Sequence, residues 1–188
     1  MPREEFADRV EPIELIVVKG HDDYAGEPVS QLEHGLQCAA LAMRAGASDA
    51  LVAAALFHDI GHLCATPDDE VMPELGVLHH EEIGAAYLFA AGYPALVCDF
   101  VRGHVAAKRY LVASNPRYAA KLTDASRRTL ELQGGPFGAH EVAKFHRDPR
   151  RQDMLRMRAW DDAAKVKGSI VPDIDYYLPL LERVRGKS

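Results

Sequence analysis

Residues 50–62 read Ala-Leu-Val-Ala-Ala-Ala-Leu-Phe-His-Asp-Ile-Gly-His, and the change of character at His58 decides the fold. The apolar run from Ala50 to Phe57 is far shorter than the ~20 residues needed to cross a bilayer, so it reads as a buried helix. Ser48 can cap that helix, expected from Asp49 to about His62. His58 and His62 are four apart and so share a face, with Asp59 beside His58. Burying such groups unpaired costs several kcal/mol each, roughly 2–7 for a neutral polar group and more for a charge. A metal ion satisfies them economically. A helix end that merely happens to carry histidines is the plainer alternative. The adjacent His-Asp pair, with further histidines at mid-helix positions elsewhere, argues against it.

Outward from this segment the texture stays helical. Ala, Leu and Glu are frequent, and period-two alternation is rare. Helices are expected over about 2–19, 31–45, 49–62, 79–91, 94–112, 121–133, 139–146, 149–167 and 174–185, some nine in all. Residues 63–78, with Pro67, Pro73, Gly76 and several acids, read as a loop. Ser30 is a candidate cap with Glu33 in the first turn after it, and Gly46 is a stop. There is no repeat, low-complexity tract or long linker. The expectation is therefore an all-α bundle forming a single domain over 1–188, with its metal-binding core at about 30–165.

Three further histidines and one aspartate complete the pattern. His34 lies early in its helix, His80 opens another, His104 sits mid-helix in FVRGHVAAK, and Asp161 lies in MRAWDDAAK. All can project to one centre, as metal ligands do in helical bundles. Imidazole and carboxylate without thiolate suit iron, manganese or zinc. Six ligand groups are too many for one tetrahedral zinc and suit two ions bridged by Asp59. His62 follows His58 by four, Lys108 follows His104 by four, and Arg158 precedes Asp161 by three. Each thus sits beside a candidate ligand, where Arg and Lys suit phosphate or phosphonate oxygens. Taken singly, Lys108 and Arg158 would read as solvated surface charges.

Composition narrows the class. The 188 residues are 48% hydrophobic and carry a net charge of -6, which argues against a nucleic-acid footprint. Cys38, Cys64 and Cys98 form no CxxC pair and no even-numbered disulfide framework. Free cysteines in apolar stretches behave as small hydrophobes and fit a reducing cytoplasm. The first 20 residues lack the basic start and apolar run of a signal peptide. A cytoplasmic enzyme with no membrane span is expected, its oligomeric state open.

The ordered set His34, His58-Asp59, Asp161 resembles the pattern of the HD-domain metal-dependent phosphohydrolases. His80 and His104 between them match the two-metal members. The segment Tyr24-Ala-Gly-Glu27 and Ser30-Gln31-Leu32-Glu33-His34 is similar, more closely, to the mixed-valent diiron oxygenases of organophosphonate breakdown. That resemblance implies two iron ions, Fe(II)/Fe(III), and O2 as co-substrate. It implies cleavage of the C–P bond of (R)-2-amino-1-hydroxyethylphosphonate to glycine and phosphate. His34, His58, Asp59 and Asp161 would hold one iron, and Asp59, His80 and His104 the other. Tyr24 would yield its place at the second iron to substrate, and Glu27 would face the ammonium. His62, Lys108, Ser126 and Arg158 would take the phosphonate. The loop holding Tyr24 and Glu27 would act as a lid.

Two rival readings remain at this level. One is the same chemistry on the N-trimethyl analogue, giving glycine betaine and phosphate. The other is a hydrolytic HD phosphohydrolase acting on a nucleotide or phosphomonoester; a non-catalytic sensor domain is disfavoured by the complete ligand set. His21, His79, His140 and His146 read as surface or structural, with family spacing favouring His80 over His79. Trp160 and Tyr176-Tyr177 read as packing, the basic run 147–151 as solvated, and Asp124 as no ligand.

Overall fold

The computed structural model describes residues 10–21, 26–72 and 75–186. They form eleven helices and one short β-ribbon: α1 Pro12–Lys19, α2 Gln31–Arg44, α3 Asp49–Phe57, α4 Gly61–Cys64, β1 Val71–Met72, β2 Gly76–Val77, α5 His80–Ala90, α6 Ala95–Ser114, α7 Pro116–Ala119, α8 Asp124–Leu132, α9 Ala139–His146, α10 Arg151–Ala163 and α11 Ile174–Arg185. The fold class is all-α. No described helix is long and apolar enough to cross a membrane.

α3 is the axis of the bundle. Residues Leu51 to Phe57 are all buried, and α2, α6, α10 and α11 pack around them. A helix apolar on every side must be surrounded in this way. Its start is set by Ser48, whose hydroxyl accepts from Leu51 N–H. α2 begins with a full capping box, in which Ser30 and Glu33 satisfy each other's backbone N–H. α6 runs along the whole core and buries Val97, Val101, His104 and Lys108 on one face.

Three expectations are corrected. The helix expected over 49–62 breaks after Phe57. Ile60 N–H bonds to Phe57 O, and His62 N–H to Asp59 O, both at 3.0 Å. This tightening from four-residue to three-residue spacing turns His62 off the face of His58. The loop at 63–78 contains the antiparallel pair β1–β2, with Val71 opposite Val77. α10 stops at Ala163 rather than 167. The first expected helix is described only from Pro12, since residues 2–9 lie outside the described residues.

Close approach fixes how α4 meets α5. A Cβ on Gly61 would lie 1.9 Å from the backbone oxygen of His80, so only glycine lets the His-Asp turn seat against α5.

Candidate metal centre and anion pocket

Five elements deliver six side chains to one buried point. α2 brings His34, the α3–α4 turn His58 and Asp59, the start of α5 His80, α6 His104, and α10 Asp161. All six are below a tenth exposed. Their ring nitrogens meet in two pairs, His34 Nε2 to His58 Nε2 and His80 Nε2 to His104 Nε2, each 3.1 Å apart. Asp59 lies between the pairs. Its Oδ2 faces His58 at 3.3 Å and His34 at 3.7 Å, and its Oδ1 faces His80 at 3.3 Å and His104 at 3.4 Å. Asp161 closes the first cluster, with Oδ1 3.4 Å from His34 and Oδ2 3.8 Å from His58.

The other nitrogen of each ring fixes its tautomer. Nδ1 of His34 meets Ala164 O at 2.9 Å, and Nδ1 of His58 meets Ala55 O at 2.9 Å. For His80 the acceptor is Val77 O at 3.2 Å, and for His104 it is Val101 O at 2.7 Å. A carbonyl only accepts, so every Nδ1 carries hydrogen, and each Nε2 turns a lone pair inward when its ring is neutral. Such outer bonds orient ligating imidazoles. Facing lone pairs repel unless a cation or a proton lies between them.

Electrostatics points the same way. Burial pushes the His58 pKa down, but the Asp59 carboxylate outweighs it and raises it to about 9. Burial would raise Asp59 and Asp161. His58 pulls the first well below the usual carboxylate range, and Arg158 does the same for the second. Asp59 Oδ2 and Asp161 Oδ1 are buried with no hydrogen-bond partner among the described residues. Orphaned carboxylate oxygens facing convergent imidazole nitrogens fit metal binding. Asp59, His80 and His104 could hold one ion. His34 and His58 could hold another, with Asp59 and Asp161 beside them. Cys38, read from the sequence as a small hydrophobe, also borders this second group, its Sγ 3.9 Å from His34 Nε2. Burial, reinforced by Asp161 and Asp59, raises its pKa and keeps it a thiol.

A cavity opens beside the clusters, and Glu27, His62, Lys108, Ser126 and Arg158 all line it. His62 has the opposite tautomer to the ligand-type histidines. Val77 N–H donates to its Nδ1 at 3.0 Å, so the hydrogen of the neutral ring sits on Nε2. Burial, with His80 stacked at 4.0 Å, pushes its pKa well down. Lys108 is 4% exposed and donates to Thr129 at 3.0 Å. Burial and then Arg158 push its ammonium down to about 7. Arg158 spends three of its five N–H donors on Tyr118, Asp161 and Asp162 among the described residues. Its position is therefore tied to that of Asp161.

Sequence reading missed Lys165, Thr129, Gln133, Met72 and Leu75 in the same wall. Lys165 had a signal. It follows Asp161 by four, the spacing that singled out Lys108 after His104. Tyr24 lies outside the described residues. His21, His79, His140 and His146 are exposed, unlike the four buried histidines of the clusters. His79 adopts a left-handed backbone that swings His80 inward. Trp160 packs in the core, as does Tyr177, whereas Tyr176 is 56% exposed.

Residues 32–134 match the HD domain family. The chain belongs to that family. Among curated relatives of this HD-domain protein, the 1-hydroxy-2-(trimethylamino)ethylphosphonate dioxygenase (glycine-betaine-forming) of Leisingera caerulea is 39% identical. That match covers 90% of this chain and 86% of the relative. Hydroxymethylphosphonate dioxygenase of Gimesia maris is 42% identical over 87% of this chain and 81% of its own length. An uncharacterised protein of Acanthamoeba polyphaga mimivirus is 37% identical over 86% of this chain and 74% of its own length.

Proposed function

We propose that this HD-domain protein is a phosphonate dioxygenase, and that its substrate is (R)-2-amino-1-hydroxyethylphosphonate, cleaved with O2 to glycine and phosphate. The reaction balances: the C1–H and C–P bonds break, C1 is oxidised to a carboxylate, and one O2 is reduced by four electrons. Two relatives that act on 1-hydroxyphosphonates, each more than a third identical over most of this chain, support the phosphonate class.

His34, His58, Asp59 and Asp161 would hold one iron, and Asp59, His80 and His104 the other. When bound, the Fe(II)/Fe(III) pair supplies the redox chemistry with O2. The remaining residues bind and orient. Lys108, the Nε2–H of His62, Ser126 and Arg158, two of whose N–H groups are uncommitted among the described residues, line the cavity and suit a phosphonate. That grip would present the hydroxyl-bearing C1 toward Asp59, which lies between the two histidine pairs. Low exposure around the clusters excludes water from the reacting carbon.

One observation carries the primary amine. Glu27 Oε1 already binds a primary ammonium, that of Lys165 at 2.7 Å, with the Thr123 hydroxyl at 2.9 Å. This is a hydrogen-bonding recess, and a trimethylammonium has no N–H to donate. Among the described residues no Phe, Tyr or Trp lines the cavity to cage a quaternary nitrogen.

The test is O2 uptake by the iron-loaded, partly reduced protein with 2-amino-1-hydroxyethylphosphonate, alongside assays for glycine and phosphate. Equal amounts of both products with matching O2 loss, abolished in Asp59→Ala, are expected. Phosphate release from phosphomonoesters without O2 uptake would replace the proposal with hydrolysis. Glycine betaine from the trimethyl analogue alone would move the substrate.

A further inference from the structure

The first metal cluster contains a thiol that the proposed iron chemistry does not use. Cys38 follows His34 by four on α2, so one helix face carries both side chains. Its Sγ lies 3.9 Å from His34 Nε2, and ligand atoms of His34, Cys38 and His58 all lie within 4.8 Å of one another. Asp161 gives an independent sign of a ligand at the same point. Its Oδ1 is buried with no hydrogen-bond partner among the described residues, and it lies 3.4 Å from the same His34 nitrogen.

These spacings suit a tetrahedral ion. Zinc holds imidazole nitrogen and carboxylate oxygen at about 2.0–2.2 Å and thiolate sulfur at about 2.3 Å. The edges of such a tetrahedron are about 3.4 Å between nitrogen and nitrogen or oxygen, and about 3.6 Å between nitrogen and sulfur. His34 Nε2 stands 3.1 Å from His58, 3.4 Å from Asp161 and 3.9 Å from Cys38, each close to its edge. Thiolate is also the ligand that favours zinc among divalent ions that imidazole and carboxylate accept alike.

We infer that Cys38 makes the first cluster a closed zinc site, with His34, His58 and Asp161 as the other three ligands. This rests on the reading of those three residues as a metal position. Zinc displaces the thiol proton, which leaves to solvent, and binds the sulfur as thiolate. The thiolate and Asp161 together balance the charge of the ion, as burial demands. Four protein ligands fill a tetrahedral ion and leave no open position, so zinc held here shuts the place proposed for the first iron.

The test is zinc-edge X-ray absorption of the protein loaded with two equivalents of zinc, one for each cluster. A sulfur shell at ~2.3 Å, about half a sulfur per zinc on average, is expected in wild type and lost in Cys38→Ser. Cys64→Ser/Cys98→Ser leaves Cys38 as the single thiol and should keep the shell, which serves even if Cys38→Ser does not fold. Zinc bound through nitrogen and oxygen alone, or a sulfur shell that survives in Cys38→Ser, would overturn the inference while leaving the metal position intact. In His80→Ala/His104→Ala only the first cluster remains, and one zinc per chain should be retained on dialysis. Failure of that variant to retain zinc would remove His34, His58 and Asp161 as a metal position, and this inference with it.

Discussion

Replacing Lys108 with methionine separates stability from function in this cavity. The ammonium is buried, and its pKa falls from the usual 10.5 to about 7. Each unit is worth ~1.4 kcal/mol, so holding the charge in the metal-free protein costs about 4 kcal/mol at pH 7. The sign follows from a depressed lysine. Between pH 7 and 10.5 the unfolded chain binds more protons, so stability rises with pH across that window. The penalty is full below the folded value and gone above the unfolded one. Methionine keeps the length without the charge and gives up the bond to Thr129, worth about 1 kcal/mol. The net gain is about 3 kcal/mol at pH 7. At 2–4 °C per kcal/mol for a chain of this size, Lys108→Met should melt roughly 6–12 °C above wild type. By pH 10 the penalty is only about 1 kcal/mol, and the two melting curves should converge. Activity moves the other way. Loss of a charge-assisted bond to the phosphonate, about 1.5–3 kcal/mol, lowers kcat/KM roughly 10- to 150-fold. Circular-dichroism melts of chelator-treated protein from pH 7 to 10 read the first effect. A variant that melts below wild type at pH 7, or a gap that ignores pH, would refute the reasoning.

Asp59→Asn keeps the shape but not the charge of the residue placed between both clusters, so metal content should drop below two ions per chain with affinity at least ~100-fold weaker. Elemental analysis after dialysis reads this, and two retained ions would remove Asp59 as a bridge. Metal uptake should release a proton from His58, because that ring holds one up to about pH 9 beside Asp59. Affinity should therefore climb from pH 7 to 9 and then level, and calorimetry in buffers of different ionisation enthalpy counts the protons; pH-independent binding would contradict it. Gly61→Ala would drive a Cβ into the His80 carbonyl, costing about 3 kcal/mol or more and disturbing the His80–His104 pair. A urea midpoint equal to wild type would show that the α4–α5 contact yields.

Much of this protein was legible before any fold. The helical class follows from composition and spacing, and α2 could be placed from Ser30, Glu33 and Gly46 because capping is local chemistry. His34, His58-Asp59, His80, His104 and Asp161 stood out as polar groups in apolar surroundings, and the structure brings them to one point. Periodicity failed where the helix does. It placed His58 and His62 on one face, whereas three-residue turns at Phe57–Ile60 and Asp59–His62 send them to different jobs. Lys165 escaped although it follows Asp161 by four, because a single lysine at that spacing reads as a surface charge until the fold places it beside Glu27.

The sequence by itself singled out the polar residues that need compensation, because a His-Asp pair ending a buried helix demands it wherever it packs. Only the tertiary structure decided how they are arranged. Tautomers are set by distant carbonyls such as Ala164 O on His34 and by the Val77 N–H on His62. Asp59 faces two clusters because five separate elements meet around it. The Lys165–Glu27 pair joins residues 138 apart in the chain. Such pairings depend on distances between elements, and no local periodicity encodes them.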